Sequence, residues 1–196
     1  PVLVLTDGVM GTIMEPVVLP PMKTPEEIAK LRDAFNYRAI VGHPVGENAF
    51  CRPGSVGTGQ EAVNIEADKL YRTWDKDVEY EELETEDAEI IIAAYGISAR
   101  IGKVVVRELR KEGVKIGMIR PIKLSPFPYE AFENLDFKRI KGILNVEMSI
   151  PAQMRWDVDH AVKGRTVIKE CLRSGGQLLT NDQVMEAARE LIKEVL

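Results

Sequence analysis

Residues 87–128 read DAEIIIAAYGISARIGKVVVRELRKEGVKIGMIRPIKLSPFP, and the spacing of apolar residues in this stretch decides the fold class. AEIIIAAYG, 88–96, is an apolar, β-branched run of strand length with no alternation that would give it a wet face. Strands buried on both faces belong to parallel sheets covered by helices. Gly96 supplies a turn, and Ser98 is placed to N-cap the next helix. Within 99–112, Ile101, Val104, Val105 and Leu109 form the expected buried stripe, while Arg107, Arg110, Lys111 and Glu112 are expected to face solvent. Gly113 is the C′ stop, and VKIGMIRP, 114–121, is the next strand. The βαβ unit so formed has a right-handed crossover and parallel strands.

Outward from this unit the same alternation continues. Pro126 and Pro128 bracket Phe127 in a rigid loop, and 129–135 suits a short helix. KGILNVEMS, 141–149, is a third parallel strand ending in the polar residues Asn145 and Glu147, followed by a candidate helix over 151–162 with Met154, Val158, Ala161 and Val162 inward. A fourth strand over 166–172, the RSGG turn and an N-cap at Thr180 lead into a last helix, 181–195, striped by Val184, Ala188, Leu191, Ile192 and Val195. The pattern predicts an α/β domain of three layers, α/β/α.

The front of the chain is irregular. PVLVLT, 1–6, has the composition of a strand buried on both faces and is expected to need neighbours from a domain whose larger part lies elsewhere; the alternative is an edge strand. Val9 to Met14 suits a short helix, and Pro16, Pro20 and Pro21 forbid regular structure across the segment that follows. Thr24 is placed to N-cap a helix beginning at Pro25 and ending near Phe35, with Ile28, Leu31 and Phe35 on one face. RPGSVGTG, 52–59, has three glycines but no GK[ST] ending and no preceding strand, so it reads as a surface loop rather than a phosphate cradle. Residues 60–74 suit a helix, with Val63, Ala67, Leu70 and Tyr71 as its apolar positions, and the acidic run 79–86 reads as a solvated face with Val78, Tyr80 and Leu83 as possible strand residues.

Composition bounds the function classes. Of 196 residues 45% are apolar, enough for a packed core, and a net charge of -5 without a basic stripe speaks against nucleic acid as a partner. The longest apolar runs are strand-length, short of the roughly 20 residues of a membrane span, and a soluble cytoplasmic protein is expected. Cys51 and Cys171 lie far apart without CxxC spacing, so neither zinc nor an iron–sulfur cluster is expected on this chain alone.

Ligands of open α/β sheets bind outside the carboxyl ends of strands, which here means Tyr95, Gly96 and Ser98, then Arg120 and Pro121, then Glu147, Met148 and Ser149. AAYGIS has one glycine and does not match the GxGxxG fingerprint, so an ordinary strand-to-helix turn is expected. Arg120 and Glu147 are expected to pair across neighbouring strand ends. His43 and His160 have no nucleophile context that would make a triad. No catalytic, cofactor-binding or metal-ligating residue is assigned. Gly96, Arg120, Pro121, Phe127, Pro128, Glu147, Gln153 and Met154 are instead candidates for an interface.

Four stretches, PVLVLTDGVMGTIMEPV, TEDAEIIIAAYGISARIGK, VKIGMIRPIKLSPFP and ILNVEMSIPAQM, occur in the order and spacing of a known family. The sequence resembles the C-terminal half of the α-type subunit of 2-oxoacid:ferredoxin oxidoreductases, above all those acting on branched-chain substrates (3-methyl-2-oxobutanoate, or 2-ketoisovalerate). The resemblance covers 1–16 and 84–196 and departs from the family across 39–71 and at Pro151, where the family has a glycine before Gln-Met.

The resemblance implies a five-stranded, mostly parallel sheet like the transketolase C-terminal domain, with a first strand near Tyr80 running against the other four. It divides the chain into 1–20, a remnant of a thiamine diphosphate pyrimidine-binding domain; 21–77, an irregular, helical linker; and 78–196, the transketolase C-terminal-like domain. It places thiamine diphosphate, magnesium and iron–sulfur clusters on other domains or subunits of the parent complex, with coenzyme A and ferredoxin as that complex's partners. This chain would then be noncatalytic and serve assembly. The residues alone also allow a free-standing α/β module that binds a ligand or another protein.

Overall fold

A computed structural model describes residues 10–35 and 60–196. The expected strand 1–6, the loop 52–59, His43 and Cys51 lie outside the described residues. The chain divides into two compact units, Pro1–Thr73 and Trp74–Leu196.

In the first unit a single 3-10 turn, Met10–Thr12, occupies the place expected for a short helix, and the proline-rich segment after it has no regular structure. Helix α1, Pro25–Phe35, starts with Pro at its first position. Thr24 and Glu27 close a capping box: the Glu27 N–H donates to Thr24 Oγ1 at 3.2 Å and the Thr24 N–H to Glu27 Oε2 at 2.8 Å. Helix α2, Gln60–Trp74, carries two local ion pairs, Glu66–Lys69 at 2.7 Å and Asp68–Arg72 at 2.6 Å. Helix α1 thus begins where its capping box places it, and α2 covers the residues expected to be helical.

The second unit holds β1 (Tyr80–Leu83), β2 (Ile90–Ala94), α3 (Gly96–Lys111), β3 (Ile116–Pro121), α4 (Tyr129–Glu133), β4 (Gly142–Glu147), α5 (Met154–Val162), β5 (Val167–Leu172) and α6 (Asn181–Val195). The strand order is β1-β3-β2-β4-β5, parallel throughout except for β1, which runs antiparallel to β3. The acidic run is therefore partly an edge strand rather than only a solvated face. All of β2 is buried, as its composition requires, and its side chains divide by the period of two. Ile90, Ile92 and Ala94 join α3 and α6 in one core, whereas Ile91 and Ala93 join α4 and α5 in the other. These are the two outer layers of a three-layer α/β/α domain.

Three expectations for α3 are corrected. Its N-cap is Tyr95, without a side-chain cap, because Gly96 at φ +55 turns the chain into the helix straight off the strand; Ser98 lies buried in the first turn. The buried face is Ser98, Ala99, Gly102, Val105, Val106 and Leu109, with Ile101 half-buried and Val104 39% exposed. Small residues let the helix sit close to the sheet, and that rotates the stripe away from the largest side chains. Arg110 does not point outward. Its guanidinium donates to the carbonyl oxygens of Ile116 at 2.8 Å and Glu84 at 2.6 Å, and it pairs with Asp87 at 2.6 Å. That hydrogen bond from Arg110 holds the Asp87 carboxyl below its ordinary range.

Helix α4 ends at Glu133, two residues before the expected end, and α5 starts at Met154, three residues after the expected start. Helix α5 buries Met154, Val158, Ala161 and Val162, and α6 starts from a complete capping box between Thr180 and Gln183. The turn after β1 passes so near β3 that a Cβ on Gly117 would lie 2.5 Å from the Glu84 carbonyl oxygen. Backbone cannot yield there as a side-chain tip could. Gly117→Ala is expected to destabilise the protein by about 1–3 kcal/mol, seen as a lower urea midpoint with an unchanged slope.

Candidate functional site

The carboxyl ends of β2, β3 and β4 emerge on one edge of the sheet, where such folds present their ligands or partners. The side chains there are largely engaged by the domain itself. Glu147, at the end of β4, has no exposed surface, and both its carboxylate oxygens accept hydrogen bonds. Oε2 takes the backbone N–H groups of Gln153 and Met154, each at 3.0 Å. Oε1 takes the N–H of Arg155 at 3.0 Å and the Asn145 side-chain amide at 2.6 Å. Gln153, the N-cap of α5, has helical backbone angles and caps nothing with its own side chain. Glu147 therefore does the capping from another element, and its negative charge sits at the positive end of the helix. The same charge, after burial, helps raise the pKa of the half-buried Tyr95 phenol.

Arg120 and Glu147 do not pair. The strands that carry them, β3 and β4, lie on opposite sides of β2. Arg120 Nη1 instead reaches Glu81 on the antiparallel neighbour at 3.1 Å, and Lys103 from α3 reaches the other oxygen of Glu81 at 2.8 Å. Lys103 first and Arg120 second hold the Glu81 carboxyl below its ordinary range, against the effect of burial. Arg120 Nε is buried without an acceptor among the described residues.

The remaining interface candidates are distributed unevenly. Pro121, Phe127, Pro128 and Met154 are buried within the domain, whereas Gly96 and Gln153 are exposed. Phe127 stacks on Phe132 at 5.6 Å and meets the edge of Tyr129 at 5.1 Å. The Tyr129 hydroxyl donates to Asp157 on α5 at 2.6 Å, and this hydrogen bond, with some burial, pushes its pKa up to about 12. The exposed apolar residues of these loops are others: Ile122 and Leu124 after β3, Ile150 after β4 and Trp156 on α5. Sequence reading passed over them because each stands beside a turn residue or a charge, outside any periodic pattern.

Donor chemistry at this edge is sparse. Among the described residues no cluster of three His, Cys, Asp or Glu side chains could hold a metal, and no helix is long and apolar enough to cross a membrane. Cys171 on β5 is half-buried, and burial raises its thiol pKa, so it is a poor ligand and nucleophile. His160 meets the Tyr129 ring edge-on at 5.5 Å.

The family described as pyruvate:ferredoxin oxidoreductase core domain II matches residues 88–184. The ketoisovalerate oxidoreductase subunit VorB of Methanothermobacter thermautotrophicus is 34% identical over 192 residues, 97% of this chain and 52% of that one. The chain thus spans about half the length of the curated relatives it matches. Among solved structures, the 2-oxoglutarate:ferredoxin oxidoreductase from Magnetococcus marinus aligns over 68% of this chain and 23% of its own, at 20% identity and TM-score 0.53. A split-gene transketolase, described as an inactive β4 tetramer, aligns over 60% of this chain and 42% of its own, at 15% identity and TM-score 0.51. These two structures share the fold, a five-stranded, mostly parallel α/β sheet.

Two outcomes follow from the geometry. Glu147→Ala leaves three helix N–H groups unmet in a buried site and is expected to cost about 3 kcal/mol or more, whereas Glu147→Gln, which keeps an acceptor, costs about 1–2 kcal/mol. Chemical denaturation of both variants checks the order. Tyr129 is expected to ionise near 12 rather than 10.0 in a spectrophotometric titration. Its folded pKa is raised, so its contribution is complete below pH 10.0 and lost as pH rises through about 12, and Tyr129→Phe removes that loss.

Proposed function

From the premise that this chain is homologous to subunits of 2-oxoacid:ferredoxin oxidoreductases, we propose that it is a noncatalytic, assembly part of such a complex. The parent reaction is the oxidative decarboxylation of a 2-oxoacid to an acyl-CoA, with coenzyme A and ferredoxin as partners in the cytoplasm. The observation that carries this reading is the 34% identity to a ketoisovalerate oxidoreductase subunit over nearly the whole chain. The same identity supports a branched-chain 2-oxoacid as the substrate. Residues 78–196 are read as the transketolase C-terminal-like domain, 21–77 as a helical linker and 1–20 as part of a pyrimidine-binding domain.

Thiamine diphosphate, magnesium and iron–sulfur clusters belong, in this reading, to other domains and subunits. Two features of the described residues support this reading for the cluster and the diphosphate. Cys171 is half-buried with a raised thiol pKa, and Glu147, which acts on Tyr95 at the entrance to α3, puts negative charge where a diphosphate would need the opposite. A role in assembly agrees with polar groups that are spent on holding the domain together and with apolar side chains, Ile122, Leu124, Ile150 and Trp156, that are left outward.

The purified chain, given 3-methyl-2-oxobutanoate, coenzyme A, thiamine diphosphate, magnesium and ferredoxin, is expected to form no acyl-CoA. Co-expressed with the thiamine diphosphate-binding and iron–sulfur subunits, it is expected to co-purify with them. Turnover by the chain alone overturns the noncatalytic assignment, and failure to co-purify overturns the assembly role.

A further inference from the structure

The segment leading into β1 and the Pro-Phe-Pro turn after β3 face each other across an open cleft of about 510 Å³. Tyr80, Phe127 and Tyr129 contribute to its walls, and Asp75, Lys76 and Glu130 supply its charges. Tyr80 is 40% exposed and Tyr129 37%, so both rings offer surface to a visitor, while Phe127 closes the floor. Among the described residues Asp75 and Glu130 have no ion-pair partner. The neighbouring acids do: Lys123 answers both Asp77 and Glu79. Two carboxylates and one lysine leave the cleft itself negative.

The walls are held before anything binds. The N–H groups of Ile122 and Lys123 donate to the Glu79 carbonyl at 2.9 and 3.1 Å, which fixes one side to the other. The aromatic floor is packed on α4, and Tyr129 is tied to α5 through Asp157. A preformed site loses little conformational freedom on binding.

We propose that this cleft receives an arginine- or lysine-bearing extended segment of a companion chain. Its cation lies against the Tyr80 and Tyr129 rings within reach of Asp75 and Glu130, and its aliphatic stem and apolar neighbours cover Phe127. An anionic segment is disfavoured by both carboxylates. The cleft is open rather than enclosed, which suits an extended segment better than a small molecule that must be surrounded. This assignment rests on the assembly reading and names the chemistry of one contact within it.

The full chain, titrated with acetyl-Leu-Arg-Leu-amide and followed by the NMR signals of its aromatic rings, is expected to shift Tyr80, Phe127 and Tyr129. Acetyl-Leu-Glu-Leu-amide is expected to leave them in place. Asp75→Asn with Glu130→Gln should weaken the arginine response about three- to tenfold, and added salt should weaken it in the unaltered chain. Equal response to both peptides, no ring response, or an equal response to acetyl-arginine amide alone overturns the proposal. Co-purification of the double variant with the companion subunits separates the two readings. A double variant that has lost the peptide yet assembles normally overturns this cleft assignment alone, whereas an unaltered chain that takes the peptide but never co-purifies overturns the assembly role and leaves the cleft chemistry standing.

Discussion

A carboxylate without exposed surface must be surrounded by donors, and Glu147 is surrounded by the N-cap and first amides of a helix that begins seven residues later. That single arrangement fixes much of what lies around it. It sets where α5 starts, because Gln153 offers no cap of its own. It sets the depth of α5 against the sheet, since Met154 and Val158 follow directly and fill the core shared with Ile91 and Ala93. It also consumes the anion-binding capacity of the helix N-terminus with a side chain of the protein itself. The backbone oxygen of Glu147 accepts from Arg173 at 3.2 Å, so the strand end is held from the side of β5 as well.

The consequence for chemistry is that the sheet edge is arranged for solidity. At the β3 end, Arg120 and Lys103 converge on Glu81, which fastens the antiparallel edge strand to both β3 and α3. At the amino end of β3, Arg110 spans two backbone carbonyls and a carboxylate. Guanidinium groups suit this use because their planar fork satisfies several acceptors at once. Each of these charged side chains is committed to a neighbour. What the loops leave free is apolar surface and a small acidic cleft.

Much of this was legible in the sequence, for identifiable reasons. The unbroken apolar run of β2 admits only a strand covered on both faces, and the Thr180 capping box with its following stripe places α6 at Asn181–Val195. Glycine at 113 and proline at 25 mark ends that the structure keeps. The phase of α3 was not legible from hydrophobicity, because its contact face is built around Ser98, Ala99 and Gly102, residues chosen for smallness. Nor was the partner of Glu147: strand ends that follow one another in sequence need not be adjacent, and the crossover from β3 to β4 passes over β2. A pairing inferred across those ends ignores the strand that separates them. An arginine expected to face solvent turned inward for a related reason, since the carbonyls that receive it come from segments 6 and 26 residues away.

The two sheet edges constrain how the domain can meet a partner. An exposed edge strand is a template for another chain's backbone unless something blunts it. β1 is only four residues long and carries consecutive glutamates, one of them clasped by two cations. β5 is longer, with Val167 40% exposed, but ion pairs flank it on both faces: Lys169 to Glu194 on α6 at 2.6 Å and Glu170 to Arg155 on α5 at 2.9 Å. Symmetric antiparallel pairing of two β5 strands would have to centre on a residue. Centring on Lys169 or on Glu170 sets like charges opposite each other, an unfavourable arrangement. Centred on either of these residues, pairing through β5 is opposed by charge, and the exposed apolar side chains Ile122, Leu124, Ile150 and Trp156 lie elsewhere, in the loops and the helix start at the carboxyl end of the sheet.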